Sequence, residues 1–139
     1  MPVSTEEKYA KLIETLFDRT FERSQSWRLS GSAVTTDLGT YTVSISQEDS
    51  FGSEVDMVCE IADEFGIVVD RFTDVELKDI SPDVPGYQSF YLLMRALYDR
   101  AHREASGAER VLDSILETLN AIPESKPRKR KNPDDDIPF

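Results

Sequence analysis

The chain has 139 residues, and its 27 acidic against 16 basic side chains give a formal net charge of -11 at pH 7. This length suits one domain with a tail, and 39% hydrophobic residues are enough for a packed core. Because of this negative charge, we do not expect the domain to bind nucleic acid directly. The chain has a single cysteine and a single histidine, which excludes a disulfide framework or a Cys/His zinc site within one chain.

The N-terminal part predicts an amphipathic helix over residues 4–23. Ser4 followed by Glu7 has the spacing of a capping box. Apolar residues then recur at helical spacing, namely Tyr9, Leu12, Ile13, Leu16, Phe17 and Phe21. Because the N-terminus has no basic region followed by an apolar stretch, and because no apolar run approaches the length of a membrane span, we expect a cytoplasmic protein without a membrane segment.

The next part of the chain changes to the two-residue period of β-strands. Segments rich in β-forming residues follow one another at 27–36, 41–46, 55–61 and 67–72. Gly31 interrupts the first segment, and the polar stretch Gln47–Ser53 predicts a loop between the second and the third. Short connections between consecutive strands favour an antiparallel meander of about four strands.

Two further helices are predicted after the meander. Thr73 and Glu76 form a second capping-box pattern, before a short helix or turn. Apolar residues at three-four spacing then predict helices over about 87–101 and 108–119, and Gly107 between them permits a close antiparallel turn. The sequence therefore predicts an acidic globular α+β domain over residues 1–122, with helices packed on an antiparallel sheet.

Residues 123–139 differ in composition from the domain. Four of the seven prolines lie here, and there are too few apolar residues for a core, so we expect a disordered tail. The tail has a basic block, formed by Lys126, Arg128, Lys129, Arg130 and Lys131. An acidic and then apolar block follows, formed by Asp134, Asp135, Asp136, Ile137, Pro138 and Phe139.

The last block has the features of a protein-docking segment. Phe139 is a large apolar anchor that a pocket could hold, while an Arg or Lys at the pocket rim binds the carboxylate that ends the sequence. Pro138 limits the free conformations and so lowers the cost of ordering, and the three aspartates steer the segment towards a basic surface. The basic block could make a weak, salt-sensitive nucleic-acid contact, or it could fold back on acidic residues and mask the tip.

This acidic-apolar tip resembles the C-terminal tip of bacterial single-stranded DNA-binding proteins, which ends in Asp-Asp-Ile-Pro-Phe. Asp134, Asp135 and Asp136 match the acidic run of that family, and Ile137, Pro138 and Phe139 match its apolar end. The resemblance implies docking onto genome-maintenance enzymes. The partners of the family include exonuclease I, RecO, PriA, RecQ-type helicases and the clamp-loader χ subunit.

The resemblance covers six residues and does not extend to the domain. Members of the family carry an OB-fold, a five-stranded barrel with a basic, aromatic binding face. Here an acidic domain begins and ends with helices, so we expect a different fold. The domain resembles a set of small uncharacterised bacterial α+β proteins, which implies no known activity. Its matching features are Trp27, Gly39–Ile45 and Ala105–Leu112.

Catalysis is not expected from this sequence. Cys59 alternates with strand core positions, and His102 lies on the polar side of a helix. The many carboxylates follow no metal-binding motif and there is no Gly-rich phosphate loop, so we expect no metal and no cofactor. The sequence predicts a non-enzymatic interaction protein that recruits or competes for repair and replication enzymes.

Three alternatives stay open at the level of sequence. The first is an acidic domain that mimics the charge of DNA and binds a basic protein surface, as a phage, plasmid or defence-related modulator would. The second is an enzyme of undetected type that uses clustered carboxylates. In the third, the tail is only a charged solubilising terminus whose ending is accidental.

Overall fold

The computed structural model of the chain describes residues 3–49 and 55–121. Its elements in chain order are α1 (Thr5–Phe21), β1 (Arg28–Ser30), β2 (Ala33–Leu38), β3 (Tyr41–Asp49), β4 (Val55–Ala62), β5 (Val68–Thr73), a 3-10 helix (Asp74–Leu77), α2 (Phe90–Ala105) and α3 (Ala108–Ala121). The predicted α+β class, with an N-terminal helix, an antiparallel meander and two C-terminal helices, is confirmed.

The chain divides into two units, Met1–Gly107 and Ala108–Phe139. Within the second unit, the structure describes α3. The tail predicted over 123–139 lies outside the described residues, so the domain boundary expected after residue 122 stays a prediction.

Helix α1 begins with the predicted capping box. The Glu7 backbone N–H donates to Ser4 Oγ at 3.1 Å, and the Ser4 backbone N–H donates to Glu7 Oε1 at 3.0 Å, so two N–H groups at the helix start have partners. The apolar stripe of the helix then faces the core, where Ala10, Ile13, Leu16 and Phe17 are buried.

The five strands form one sheet in the order β1-β2-β3-β4-β5, and every neighbouring pair is antiparallel. The register places Val34, Ile45, Cys59 and Phe72 in one row across four strands, and all four are completely buried. Side chains of α1 and α2 pack against this row in a single core, with Leu93, Met94 and Leu97 contributed by α2. Burial of one sheet face under the two helices is what the alternating strands require.

The meander differs from its predicted form at two places. There are five strands rather than about four, because residues 28–38 form a hairpin in which Ser30 pairs with Ala33. Gly31 does not merely interrupt this segment, since its φ of 63° forms the tight turn that joins β1 to β2. The loop predicted from Gln47 is also wrong for residues 47–49, which continue β3 and pair with β4. The rest of that predicted loop lies within residues 50–54, outside the described part.

Hydrogen bonds through the buried side chains of Gln25 and Thr36 tie the end of α1 to β2. Arg19 Nε donates to Gln25 Oε1 at 2.8 Å, and the Gln25 side-chain amide donates to the Thr36 hydroxyl. Thr36 Oγ1 in turn donates to the Ser26 carbonyl at 2.6 Å. These bonds supply the partners that buried polar groups need.

Among the described helices, none is both long and apolar enough to cross a membrane.

Candidate functional site

The predicted site residues fall in the tail. The docking tip, Asp134 to Phe139, and the basic residues Lys126, Arg128, Lys129, Arg130 and Lys131 lie outside the described residues. The described residues bear on function through their carboxylates, a polar cleft, one cysteine, one histidine and the exposed face of α3.

Most carboxylates around β5 form hydrogen bonds that hold the backbone. Asp63 Oδ1 accepts from the N–H groups of Phe65 and Ile67 in the β4–β5 turn, at 2.9 and 3.0 Å. Asp70 accepts from the Tyr9 hydroxyl at 3.0 Å and, through Oδ1, from the Arg71 N–H at 2.8 Å. In residues 3–49 and 55–121, no group of three or more His, Cys, Asp or Glu side chains is placed to hold a metal ion.

Glu76 completes the second predicted capping box. Its Oε1 accepts from the Thr73 backbone N–H at 2.9 Å and from the Thr73 hydroxyl at 2.7 Å. Burial acts to raise the pKa of Glu76, but the hydrogen bonds from Thr73 outweigh it and leave the pKa below its ordinary value of 4.5. The ionised form of Glu76 is therefore favoured in the folded chain.

Glu76→Gln should weaken the acid dependence of stability. Because folding lowers this pKa, the ionised Glu76 stabilises the fold above pH 4.5, and that contribution disappears as the pH falls through the folded pKa. We expect the urea midpoint of the wild type to fall more between pH 5 and about pH 3 than that of Glu76→Gln. Glu64→Gln, which changes an exposed acid in the β4–β5 turn, is the control. If the urea midpoint of this control changed with pH as little as that of Glu76→Gln, the assignment would be contradicted.

Negative charge is concentrated where β3 ends and β4 begins. The register places Glu48 directly opposite Asp56, and like charges in such a position oppose pairing. Burial raises the pKa of Asp74, although the bond from the Met57 N–H lowers it, and the charge of Asp56 adds to the rise. We call Glu48, Asp56, Asp74 and Glu76 the acidic end of the sheet.

Arg71 offsets part of this charge. Arg71 Nη2 lies 2.7 Å from Glu48 Oε1, and Arg71 Nε lies 3.5 Å from Glu60 Oε2. These exposed ion pairs contribute little to stability. The acidic end therefore keeps an excess of negative charge on the surface of the first unit.

Cys59 is buried in the core, where its nucleophilic thiolate form is disfavoured. Burial, followed by the nearby charges of Asp70 and Glu60, raises the pKa of Cys59 to about 12, so that its thiol stays protonated near neutral pH. The predicted role of Cys59 as a small buried core residue is confirmed. His102 is partly buried on α2, with its ring centroid 5.8 Å from that of Tyr98, and is not the exposed side chain expected.

A polar cleft of about 350 Å³ lies beside the β1–β2 hairpin, lined by residues 24–28 and 35–37. Arg28 Nη1 and Asp37 Oδ2 form an ion pair of 2.8 Å at its edge, and the hydrogen bond from Arg28 lowers the pKa of Asp37. Asp37 is the one acid among its lining residues, which include neither histidine nor cysteine, so the cleft has no acid-base pair. This cleft could not be predicted from the sequence, because its two walls are brought together by the hairpin turn at Gly31.

Helix α3 carries several exposed apolar side chains. Val111, Leu112, Ile115, Leu116 and Leu119 are each 44–58% exposed, and no residue of the helix is buried. We call these five residues the α3 stripe. The sequence predicted the helix and its stripe, and the antiparallel pairing expected for it stays a prediction.

Comparisons of the chain with protein-family models, with curated proteins and with solved structures find no match. The two resemblances drawn from the sequence therefore stay predictions.

Proposed function

We propose that this is a non-enzymatic interaction protein whose segment Asp134–Phe139 docks onto DNA repair and replication enzymes. The enzymes concerned are those that bind the tails of single-stranded DNA-binding proteins, among them exonuclease I, RecO, PriA, RecQ-type helicases and the clamp-loader χ subunit. Docking there would recruit such an enzyme or compete for it. The observation that carries the proposal is the unbroken order of three aspartates, Ile137, Pro138 and Phe139.

Each part of the segment has a physical role in this proposal. In a chain that ends at Phe139, the aromatic ring and the terminal carboxylate lie on one residue, so a pocket with a basic rim can bind both. Pro138 restricts the unbound backbone, which reduces the entropy lost on docking. The aspartates raise the rate of encounter with a basic surface, and this effect decreases with salt.

The properties of the domain support a docking role rather than a catalytic one. Asp63, Asp70 and Glu76 bind backbone N–H groups, and Cys59 is buried with a raised pKa. The polar cleft lacks an acid-base pair. An acidic domain would also not compete with the partner enzyme for DNA.

Displacement of a labelled Asp-Asp-Ile-Pro-Phe peptide from exonuclease I tests the proposal. The full chain should displace the peptide with micromolar potency, equivalent to about -8 kcal/mol. Deletion of Phe139 should weaken displacement at least tenfold, about 1.4 kcal/mol, because the ring is lost and the terminal carboxylate moves to Pro138. Addition of one glycine after Phe139 should weaken it as well, since the carboxylate moves away from the ring.

The matched control is Lys131→Gln, which changes a charged tail residue and leaves the tip intact. Equal displacement by the full chain and by the chain without Phe139 would exclude docking through the tip. Equal displacement by the glycine-extended chain would show that the terminal carboxylate has no role in binding.

The acidic end of the sheet favours a second candidate function, binding of a basic protein surface by DNA charge mimicry. Glu48 lies opposite Asp56, and Arg71 offsets only part of the charge at this end of the sheet, so a basic partner surface could bind the remaining negative charge. In the same displacement experiment, this candidate predicts that binding survives deletion of Phe139. It also predicts that binding is lost in Glu48→Gln/Asp56→Asn, which removes both charges with little change in shape.

A further inference from the structure

The polar cleft opens because β1 is shorter than β2. The β1–β2 ladder ends at the pair Arg28–Thr35, whereas β2 continues as far as Leu38. The segment 24–27, which leads from α1 into β1, faces the last part of β2 across the cleft. Both walls belong to the first unit, so the cleft is formed by that unit alone.

Hydrogen bonds fix the two walls of the cleft. Thr36 Oγ1 donates to the Ser26 carbonyl at 2.6 Å, which joins one wall to the other. The Trp27 indole N–H donates to Thr20 Oγ1 at 2.9 Å and holds the first wall to α1. A cleft whose walls are already in place can bind a ligand without a large ordering cost.

Buried polar side chains are concentrated at this cleft. Four polar side chains are buried among the described residues. Gln25, Thr35 and Thr36 line the cleft, and the fourth, Thr20, is the acceptor for Trp27. Small-molecule sites combine a concave surface with a few polar groups that fix the orientation of the ligand. The volume of about 350 Å³ lies at the lower end of the range for such sites, about 300–1,000 Å³, which suits a ligand of one sugar unit.

The ion pair at the edge of the cleft can supply both donors and acceptors to a ligand. Arg28 Nη1 lies 2.8 Å from Asp37 Oδ2, and more than half of each side chain is exposed. An arginine has more N–H donors, and a carboxylate more acceptor positions, than this one bond uses. The hydrogen bond from Arg28 lowers the pKa of Asp37, so the carboxylate is ionised near neutral pH.

This pair matches the chemistry of a vicinal diol. One hydroxyl of a diol can donate to the Asp37 carboxylate while the neighbouring oxygen accepts from the Arg28 guanidinium. The two charges cancel within the cleft, and the chain has a net charge of -11, so a neutral ligand is favoured over a free anion. The hydroxyl and amide groups of the lining can both donate and accept, as a polyol requires.

We propose that the polar cleft binds a small neutral polyol, and that the Arg28–Asp37 pair recognises a vicinal diol of a sugar. This binding is a property of the domain and does not need the docking tip. Because water competes for the same donors and acceptors, we expect affinity in the millimolar range.

Titration of the full chain, followed by amide NMR spectra, tests the proposal. A vicinal diol can belong to a free sugar or to a nucleoside, so the two probes are methyl β-D-ribofuranoside and uridine. We expect at least one of them to shift the resonances of residues 24–28 and 35–37 and of the Trp27 indole, which is the single indole of the chain. The 2-deoxy analogue of that probe, which lacks the diol, should bind at least about tenfold more weakly.

Arg28→Gln/Asp37→Asn should also weaken binding at least about tenfold, because neutral amides replace both charged partners of the diol. Exposed ion pairs contribute little to stability, so this variant should fold, and its spectrum shows directly whether it does. The matched control is Glu48→Gln/Arg71→Gln, which removes an exposed ion pair of 2.7 Å elsewhere on the sheet. We expect the control to bind as the wild type does.

Absence of shifts with both probes at about 50 mM would overturn the proposal, as would equal binding by the Arg28→Gln/Asp37→Asn variant or by the deoxy analogue. Inorganic phosphate that shifted the same resonances at a lower concentration than either probe would indicate an anion site and would also overturn it. The chain without Phe139 should bind the probes as the full chain does, so this proposal and the docking proposal fail independently.

Discussion

Replacement of Phe72 by alanine is expected to lower the free energy of unfolding by about 3–5 kcal/mol. Phe72 is completely buried, pairs with Cys59 across the sheet, and stacks on Tyr9 of α1 with ring centroids 4.0 Å apart. Its loss removes an aromatic contact between β5 and α1 and leaves a cavity in the core. Because domains of this size are stable by about 5–15 kcal/mol, the variant would be close to unfolding.

Urea denaturation followed by Trp27 fluorescence measures this loss. Phe65→Ala is the matched control, since the same atoms are removed from a side chain that is 79% exposed in the β4–β5 turn. We expect the control to change stability by less than about 0.5 kcal/mol. Similar losses for the two variants would contradict the placement of Phe72 in the core.

Thr36→Val is expected to destabilise the chain by about 1–3 kcal/mol, although the two side chains have nearly the same shape. Thr36 is 1% exposed, and its hydroxyl both accepts from the Gln25 amide and donates to the Ser26 carbonyl. Valine would leave the Gln25 amide without its acceptor and the Ser26 carbonyl without its donor. The hydrogen bonds that join the end of α1 to β2 through Thr36 would therefore be lost.

Thr40→Val provides the control for this substitution. Thr40 is exposed in the turn between β2 and β3, so the same chemical change there leaves no buried group unpaired. We expect its urea midpoint to match that of the wild type. A double variant that adds Gln25→Leu should recover part of the loss in Thr36→Val, because the unpaired amide is removed. No recovery would argue that the cost has another origin.

The elements with strong local chemistry could be predicted from the sequence. Ser4 with Glu7, and Thr73 with Glu76, form capping boxes in the structure because both bonds of a box join residues only three apart. The stripe of α1 follows the helical period from Tyr9 to Phe21, so its core face was also predictable. Alternation at Val43, Ile45 and Cys59 likewise identified strands that meet in one buried row.

The errors arose where backbone pairing is independent of side-chain polarity. Gln47, Glu48 and Asp49 predicted a loop, yet their backbone groups continue the ladder with β4 while their polar side chains remain outside the core. Gly31 was interpreted as an interruption, because one glycine cannot indicate whether a strand stops or turns back. The pairing of Ser30 with Ala33 shows that the strand turns back.

The candidate functional residues also include some that could be predicted from the sequence and some that could not. The tip could be identified from sequence because its order is a local property of Asp134–Phe139. The acidic end could not, since it depends on the register that places Glu48 opposite Asp56 and on the bond from Met57 to Asp74. Strand register is a property of the whole sheet.

The carboxylates beside β5 also occupy N–H groups at the edge of the sheet. In an antiparallel sheet, alternate residues of an edge strand direct their N–H groups away from the sheet, where a strand of another molecule can bind. On β5 the alternate N–H groups of Arg71 and Thr73 are already bound by Asp70 and Glu76. The bonds from Thr73 hold the pKa of Glu76 below its ordinary value, so acid that protonates Glu76 would weaken its hold on the Thr73 N–H and free that group to pair with a strand of another molecule.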